Sequence, residues 1–196
     1  MPILEWLQMS SWLEFTAMVL ALMYLVLAIL EKRACWYAAL ASTALYTVIF
    51  WDVSLLMESA LQVYYMVMAV YGWWYWHEDK ASAPIVRWRL RQHLWGMLAI
   101  TVATVVSGWL LSRYTSAVLP YLDAFTTWAS VLATVMVARK VLENWLYWIV
   151  IDIASIYLYM SRDLNVTAVL FVIYVVLAIV GYRQWMRHQP AATLAP

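Results

Sequence analysis

Charge is what this sequence has least of. Asp, Glu, Lys and Arg together make up 12% of its 196 residues while 67% are hydrophobic, and the mean hydropathy is +0.76. A soluble domain of this length carries roughly twice that charge, so the chain reads as an integral membrane protein. A net charge of +1 offers no basic surface for a nucleic acid. One cysteine, Cys35, excludes an internal disulfide and a cysteine metal cluster. No Walker-type phosphate loop, GxGxxG, HExxH or Gly-x-Ser-x-Gly occurs, so nothing signals ATP hydrolysis or a hydrolase, and no catalytic group or cofactor is expected. His77, His93 and His188 are too scattered for a metal site. The first ten residues hold Glu5 and no Lys or Arg, unlike the basic start of a cleaved signal peptide. The first hydrophobic run is therefore expected to be kept as a span.

What is present is a series of hydrophobic runs of about span length, at 11–30, 34–51, 58–77, 93–112, 121–138, 143–161 and 164–183. Short polar separators divide them, the least distinct lying between Asp52 and Glu58, where apolar residues continue through the expected turn. The expectation is seven transmembrane helices. Helix 7 contains no lysine to form a Schiff base, which excludes a retinal protein. With seven spans, Lys32, Arg33, Lys80, Arg87, Arg89, Arg91, Arg139, Lys140, Arg183 and Arg187 fall on one side of the bilayer and only Arg113 and Arg162 on the other. The positive-inside rule makes the first side cytoplasmic, with an external N-terminus and an internal C-terminus.

Laid on itself at an offset of 109 residues, the chain pairs Trp36 with Trp145, Gly72 with Gly181, Trp76 with Trp185, Tyr65 with Tyr174, Ala69 with Ala178 and Glu14 with Asp123. This register superposes helices 1 to 3 on helices 5 to 7 and leaves helix 4 as a connector. The expected fold is therefore an all-α 3+1+3 parallel repeat of the kind seen in SWEET-type carriers, with a site between the two bundles. Its parts are an external N-terminus at 1–10, a first three-helix bundle at 11–77, a linker and connector helix at 78–120, a second bundle at 121–185 and a cytoplasmic tail at 186–196.

Candidate site residues cluster on helix 6. Trp145, Trp148 and Asp152 share an arc of about 60° at 100° per residue. Asp152 lies about nine residues into the helix, roughly 13 Å into a core of about 30 Å. A charge at that depth costs on the order of 2.5–3.5 kcal/mol and marks a site by default; the alternative is a protonated aspartate bonded to a neighbouring helix. Trp145 and Trp148 read equally as interfacial belt residues. Two flat aromatic faces and a carboxylate suit a small, flat, cationic ligand. On helix 3, Gln62, Tyr65, Ala69 and Trp73 form a stripe at i, i+3, i+7 and i+11. Gln62 needs partners in lipid, whether ligand or helix, and Tyr65 and its repeat mate Tyr174 read equally as packing or lining. A membrane enzyme using Asp152 is disfavoured, since no second titratable group shares its depth.

These residues carry a resemblance. The run Asn144-Trp-Leu-Tyr-Trp148 leading into Asp152 and Ile156-Tyr-Leu-Tyr159, the helix from Gln62 that closes with Tyr71-Gly-Trp-Trp-Tyr-Trp76, and Gly181-Tyr-Arg-Gln-Trp185 together resemble the Pnu family of bacterial vitamin transporters, the PnuC-type nicotinamide riboside carriers. The resemblance covers roughly residues 10–187. It implies a multi-pass protein of the bacterial inner membrane and facilitated diffusion of an unphosphorylated vitamin precursor. A cytoplasmic kinase then traps the product, so the carrier needs neither ATP nor a coupling ion. It also implies substrate contacts at Trp145, Trp148 and Gln62, to which the reading of the residues adds Asp152, Asn144, Tyr65, Trp73 and Tyr174. Among the substrates the family implies, nicotinamide riboside is placed first and thiamine second, both ahead of riboflavin and deoxynucleosides, because a carboxylate at 152 suits a cation. The rival is a vitamin-capture subunit that depends on a partner ATPase. The bilayer, the vitamin and the kinase are the expected partners, and a homo-oligomer is compatible with all of this.

Overall fold

Every hydrophobic run expected to span the membrane is a helix in the computed structural model, which describes residues 3–52, 56–76, 84–115, 117–161 and 165–188. The helices are α1 (Ile3–Ile29), α2 (Cys35–Asp52), α3 (Leu56–Tyr75), α4 (Leu90–Tyr114), α5 (Pro120–Ala138), α6 (Asn144–Met160) and α7 (Asn165–His188). Trp12–Ile29, Leu90–Tyr114, Pro120–Ala138 and Ala168–His188 are each long and apolar enough to cross a bilayer. The other three helices, α2, α3 and α6, have 18, 20 and 17 residues; the shortest still rises about 26 Å.

The helices overrun the hydrophobic runs at several ends. α1 starts at Ile3 rather than 11, α4 at Leu90 rather than 93, and α7 continues to His188 rather than 183. Hydropathy marks where a helix meets lipid, and a helix can run on past that point where no Gly or Pro interrupts it. No Gly or Pro stands between positions 3 and 11 or between 182 and 188. The separator expected from Asp52 to Glu58 is narrower than its sequence, since α3 already begins at Leu56. Residues 53–55, His77, Lys80, Arg162, Asp163 and the tail from 189 lie outside the described residues.

Two compact units divide the chain, Met1–Ala83 and Pro84–Pro196. In the first, α1 packs on α2 and α2 on α3. In the second, α4 packs on α5, α5 on α6 and α6 on α7. A broad apolar face of α4, including Val102, Val105, Val106 and Trp109, is exposed, as the lipid-facing side of a spanning helix must be.

The two units repeat one turn at the 109-residue offset. After α1, Glu31 takes φ 54°, and after α5, Lys140 takes φ 52°. Lys32 N–H donates to the Leu27 carbonyl at 2.9 Å and Val141 N–H to that of Met136 at 2.9 Å. Inside each of these bonds a second closes, Glu31 to Ala28 at 3.0 Å and Lys140 to Val137 at 2.9 Å. This is the Schellman close, which satisfies the last carbonyls of a helix and normally takes glycine at the left-handed position. A charged residue there costs on the order of 1 kcal/mol in backbone strain, so the tight reversal is held by its surroundings in both units.

A second motif repeats with it. In the first unit Trp36 lies against Gly72 and meets Trp76 edge-on, with ring centroids 5.3 Å apart at 85°. In the second, Trp145 lies against Gly181 and meets Trp185 edge-on at 5.3 Å and 88°. All four indoles are buried, and so are the paired Ala69 and Ala178. Only a residue without Cβ lets an indole approach the backbone this closely.

Candidate functional site

α6 leaves the Schellman turn with Asn144 as its first residue. Asn144 is wholly buried, and its Nδ2 donates to the Val141 carbonyl at 2.6 Å, while no described group bonds its Oδ1. Trp145 follows at 1% exposure, flat against Gly181 of α7, and its Nε1 also has no partner among the described residues. Trp148, one turn on, is half-buried and rests on a cluster of Ile100 from α4, Ala129 and Ala133 from α5, and Ile151. Small residues on α5 are what leave room for this indole.

Asp152 comes one further turn along and is 3% exposed. Among the described residues no hydrogen bond or ion pair engages its carboxyl. Ser155, on the same side of α6, is buried as well. A buried carboxyl normally has a partner within the protein, because desolvation without one costs several kcal/mol. Here no described residue supplies one. α5, which packs on α6, buries Thr126, Ser130 and Thr134 at i, i+4 and i+8. The hydroxyls of Thr126 and Thr134 are taken up within α5, donating to the Asp123 carbonyl at 2.9 Å and the Ser130 carbonyl at 2.8 Å.

On α7, Tyr174 meets Phe171 edge-on at 5.4 Å, and Phe171 in turn contacts Tyr159 of α6 at 5.1 Å. Tyr174 thus belongs to the aromatic seam that joins α6 and α7. In the second unit the fold brings Asn144, Trp145, Trp148 and Asp152 onto one helix, with Tyr174 on the helix beside it.

The remaining candidates sit in the first unit, all on α3. Gln62 is half-buried, and no described residue bonds its amide. Tyr65 packs on Tyr64 with ring centroids 5.6 Å apart. Trp73 carries a partner that the sequence did not disclose. The Arg33 guanidinium lies 3.9 Å above its ring, and Arg33 Nε donates to the Trp73 carbonyl at 3.0 Å. Arg33 thereby caps the C-terminal end of α3, where a positive charge is favoured, and covers one face of the Trp73 ring. Tyr37 approaches the same ring edge-on at 6.2 Å. Trp36, Tyr37, Leu40, Ala69, Val70 and Trp73 line a shallow groove of about 230 Å³.

The partners that Glu143, Tyr147 and His93 find leave no sign in the sequence. Glu143 accepts the Trp88 N–H at 3.2 Å, and His93 Nδ1 is 3.0 Å from the Tyr147 hydroxyl. Both contacts span more than fifty residues, and no periodicity announces them.

Known proteins share this fold over most of its length. A crystal structure of the vitamin B3 transporter PnuC superposes with a TM-score of 0.72 at 25% identity, covering 91% of this chain and 84% of that one. The nicotinamide riboside transporter PnuC of Escherichia coli (strain K12) is 24% identical over 207 residues, 90% of this chain and 85% of its own. The riboflavin/roseoflavin transporter RibM of Streptomyces davaonensis is 27% identical over 132 residues, 63% of this chain and 61% of its own. These relatives are transporters and not enzymes. With residues 11–187 matching the family model described as nicotinamide mononucleotide transporter, this multi-pass membrane protein belongs to that family of vitamin transporters.

Proposed function

We propose that the chain carries nicotinamide riboside across the membrane by facilitated diffusion. The observation that carries this reading is the Asp152 carboxyl, buried in the second unit without a partner among the described residues and one turn beyond the Trp148 ring. A pyridinium ring brings a flat face for the indole and a positive charge for the carboxylate. Stacking contributes on the order of 1–3 kcal/mol per base-like ring, and a cation over an indole up to about 2 kcal/mol once desolvated. The names of the relatives point to the same substrate. RibM favours riboflavin as a second reading, but a neutral flavin leaves the carboxylate uncompensated. Thiamine, also flat and cationic, satisfies the same two groups.

The proposed binding set is Asn144, Trp145, Trp148, Asp152 and Tyr174 in the second unit and Gln62, Tyr65 and Trp73 in the first. The shared Schellman turns and Trp–Gly–Trp packing support the 3+1+3 parallel repeat, with α4 as its connector. The distribution of basic residues supports an external N-terminus. Net uptake is sustained by a cytoplasmic kinase that phosphorylates the vitamin after entry.

Purified protein in liposomes tests the reading. Uptake of labelled nicotinamide riboside down its gradient, without ATP or a second protein, is expected. Tryptophan fluorescence titrations with nicotinamide riboside, thiamine, riboflavin and a deoxynucleoside rank the substrates in parallel. Tight binding without uptake would make the chain a capture subunit, and a response to riboflavin alone would overturn the role given to Asp152.

A further inference from the structure

The segment before α4 is lashed across the turn from which α6 emerges. Val86 N–H donates to the Lys140 carbonyl at 3.0 Å, and Leu142 N–H returns a bond to the Val86 carbonyl at 2.9 Å. This one-residue parallel bridge is the sole β pairing among the described residues. Ile85 is buried beneath it. Glu143 then completes the attachment with both carboxylate oxygens. Its Oε2 accepts the Trp88 N–H at 3.2 Å, and its Oε1 stands 3.6 Å from Arg87 Nε. Four residues later on α6, Tyr147 stacks on His93 of α4 at 5.9 Å and 19°, with the hydroxyl 3.0 Å from Nδ1.

An acid at the head of a helix is favoured there by the free N–H groups and the positive end of the helix dipole. Glu143 makes no side-chain cap. Its carboxylate is spent instead on the strap, so α6 gives up a local stabilisation for a contact with residues 55 positions away.

The internal repeat shows that the strap is not needed for the turn. At the 109-residue offset the first unit has the same Schellman close and the same Trp–Gly–Trp packing, yet Ala34 stands for Glu143, Ala38 for Tyr147 and Ala39 for Trp148. Whatever closes the turn and packs the indoles is common to both units. Glu143, Tyr147 and Trp148 occur in the second alone, Glu143 immediately before α6 and the other two within its first two turns.

We propose that Glu143 is a positioning residue for substrate binding: by holding the strap 84–88 on the α5–α6 turn it fixes the start of α6, and with it the placement of Trp148. This rests on the reading of Trp148 and Asp152 as the substrate site. The essential interaction is acceptance of the Trp88 N–H, which a glutamine oxygen reproduces and an aspartate, one methylene shorter, does not reach.

The test measures nicotinamide riboside affinity by tryptophan fluorescence and the thermal midpoint of detergent-solubilised protein, for Glu143→Ala, Glu143→Asp, Glu143→Gln and Trp148→Ala. Glu143→Ala and Glu143→Asp are expected to raise Kd about tenfold, part of the worth of the Trp148 ring they no longer hold in place, while the midpoint falls only by the worth of one hydrogen bond. Glu143→Gln is expected to stay within about twofold of the parent. Where Glu143→Ala fails to fold, the Asp and Gln variants carry the comparison. Parental affinity in Glu143→Asp, equal losses in Asp and Gln, or affinity that falls only in step with the midpoint would overturn the assignment. Loss of binding in Trp148→Ala beside parental Glu143 variants leaves the site standing without the strap. Parental binding in Trp148→Ala overturns the site itself.

Discussion

The Trp145 indole fills the notch that Gly181 leaves in α7: a β-carbon at position 181 would stand 2.7 Å from Cε3 of that ring. Gly72 holds the same relation to Trp36 in the first unit, and closer still. Gly181→Ala and Gly72→Ala are expected to destabilise the protein by about 1–3 kcal/mol each, the usual cost of forcing a methyl into a filled interface. Gly96→Ala is the control. There the new carbon meets the end of the Leu132 side chain, which swings aside more readily than an indole wedged between helices. Thermal unfolding in detergent reads the difference, and a Gly96 variant as damaged as the other two would remove the special role of the notch.

A separate device holds the first unit. Arg33 donates Nε to the Trp73 carbonyl and lays its guanidinium over the Trp73 ring. Lysine supplies a charge but neither the planar face nor the fixed fork. Arg33→Lys is therefore expected to cost about 1 kcal/mol, most of what Arg33→Ala costs. A lysine variant with the parental melting midpoint would mean that charge alone caps α3.

How much of this is legible in the sequence follows from the range of each interaction. The seven helices declare themselves because lipid imposes a hydrophobic run on each. The offset of 109 is visible because Trp36, Gly72 and Trp76, with their mates Trp145, Gly181 and Trp185, meet a packing demand that few other residues satisfy. Helix ends are less legible: α1 begins before its apolar stretch and α7 runs past its own, with no Gly or Pro to interrupt either overrun. Arg33 on Trp73 and the strap on Glu143 leave no trace, since each joins residues 40 to 55 positions apart through single contacts without period. The shared helix face puts Trp145, Trp148 and Asp152 on one side of α6, but it does not distinguish an indole buried against a glycine from one that is half-buried.

That distinction separates the two tryptophans by experiment. Trp148→Ala is expected to weaken nicotinamide riboside binding about 10- to 100-fold, the worth of one stacked ring, with a modest change in stability. Trp145→Ala opens a large cavity beside Gly181 and Trp185, so its main effect is expected on folding, on the order of 3–5 kcal/mol. Affinity and thermal midpoint measured on both variants decide the matter. Similar losses of affinity at unchanged midpoints would make the two rings equal partners in binding.

Asp152 offers the sharpest test of the substrate's charge. Asparagine matches its shape and keeps an acceptor oxygen while removing the charge, so packing is preserved. If the carboxylate is held unpartnered in order to face a pyridinium, Asp152→Asn should raise the Kd for nicotinamide riboside by about tenfold or more, since breaking a desolvated charge pair costs at least 1.4 kcal/mol. A neutral isostere, the benzamide riboside, has no charge to lose, and its affinity should change by about twofold at most. The asymmetry, not the size of either loss, is the evidence. Equal losses for both ligands would assign Asp152 to the packing of α6, and a larger loss for the neutral ligand would mean that the carboxyl acts as a hydrogen-bonding group toward the ribose rather than as a charge toward the ring.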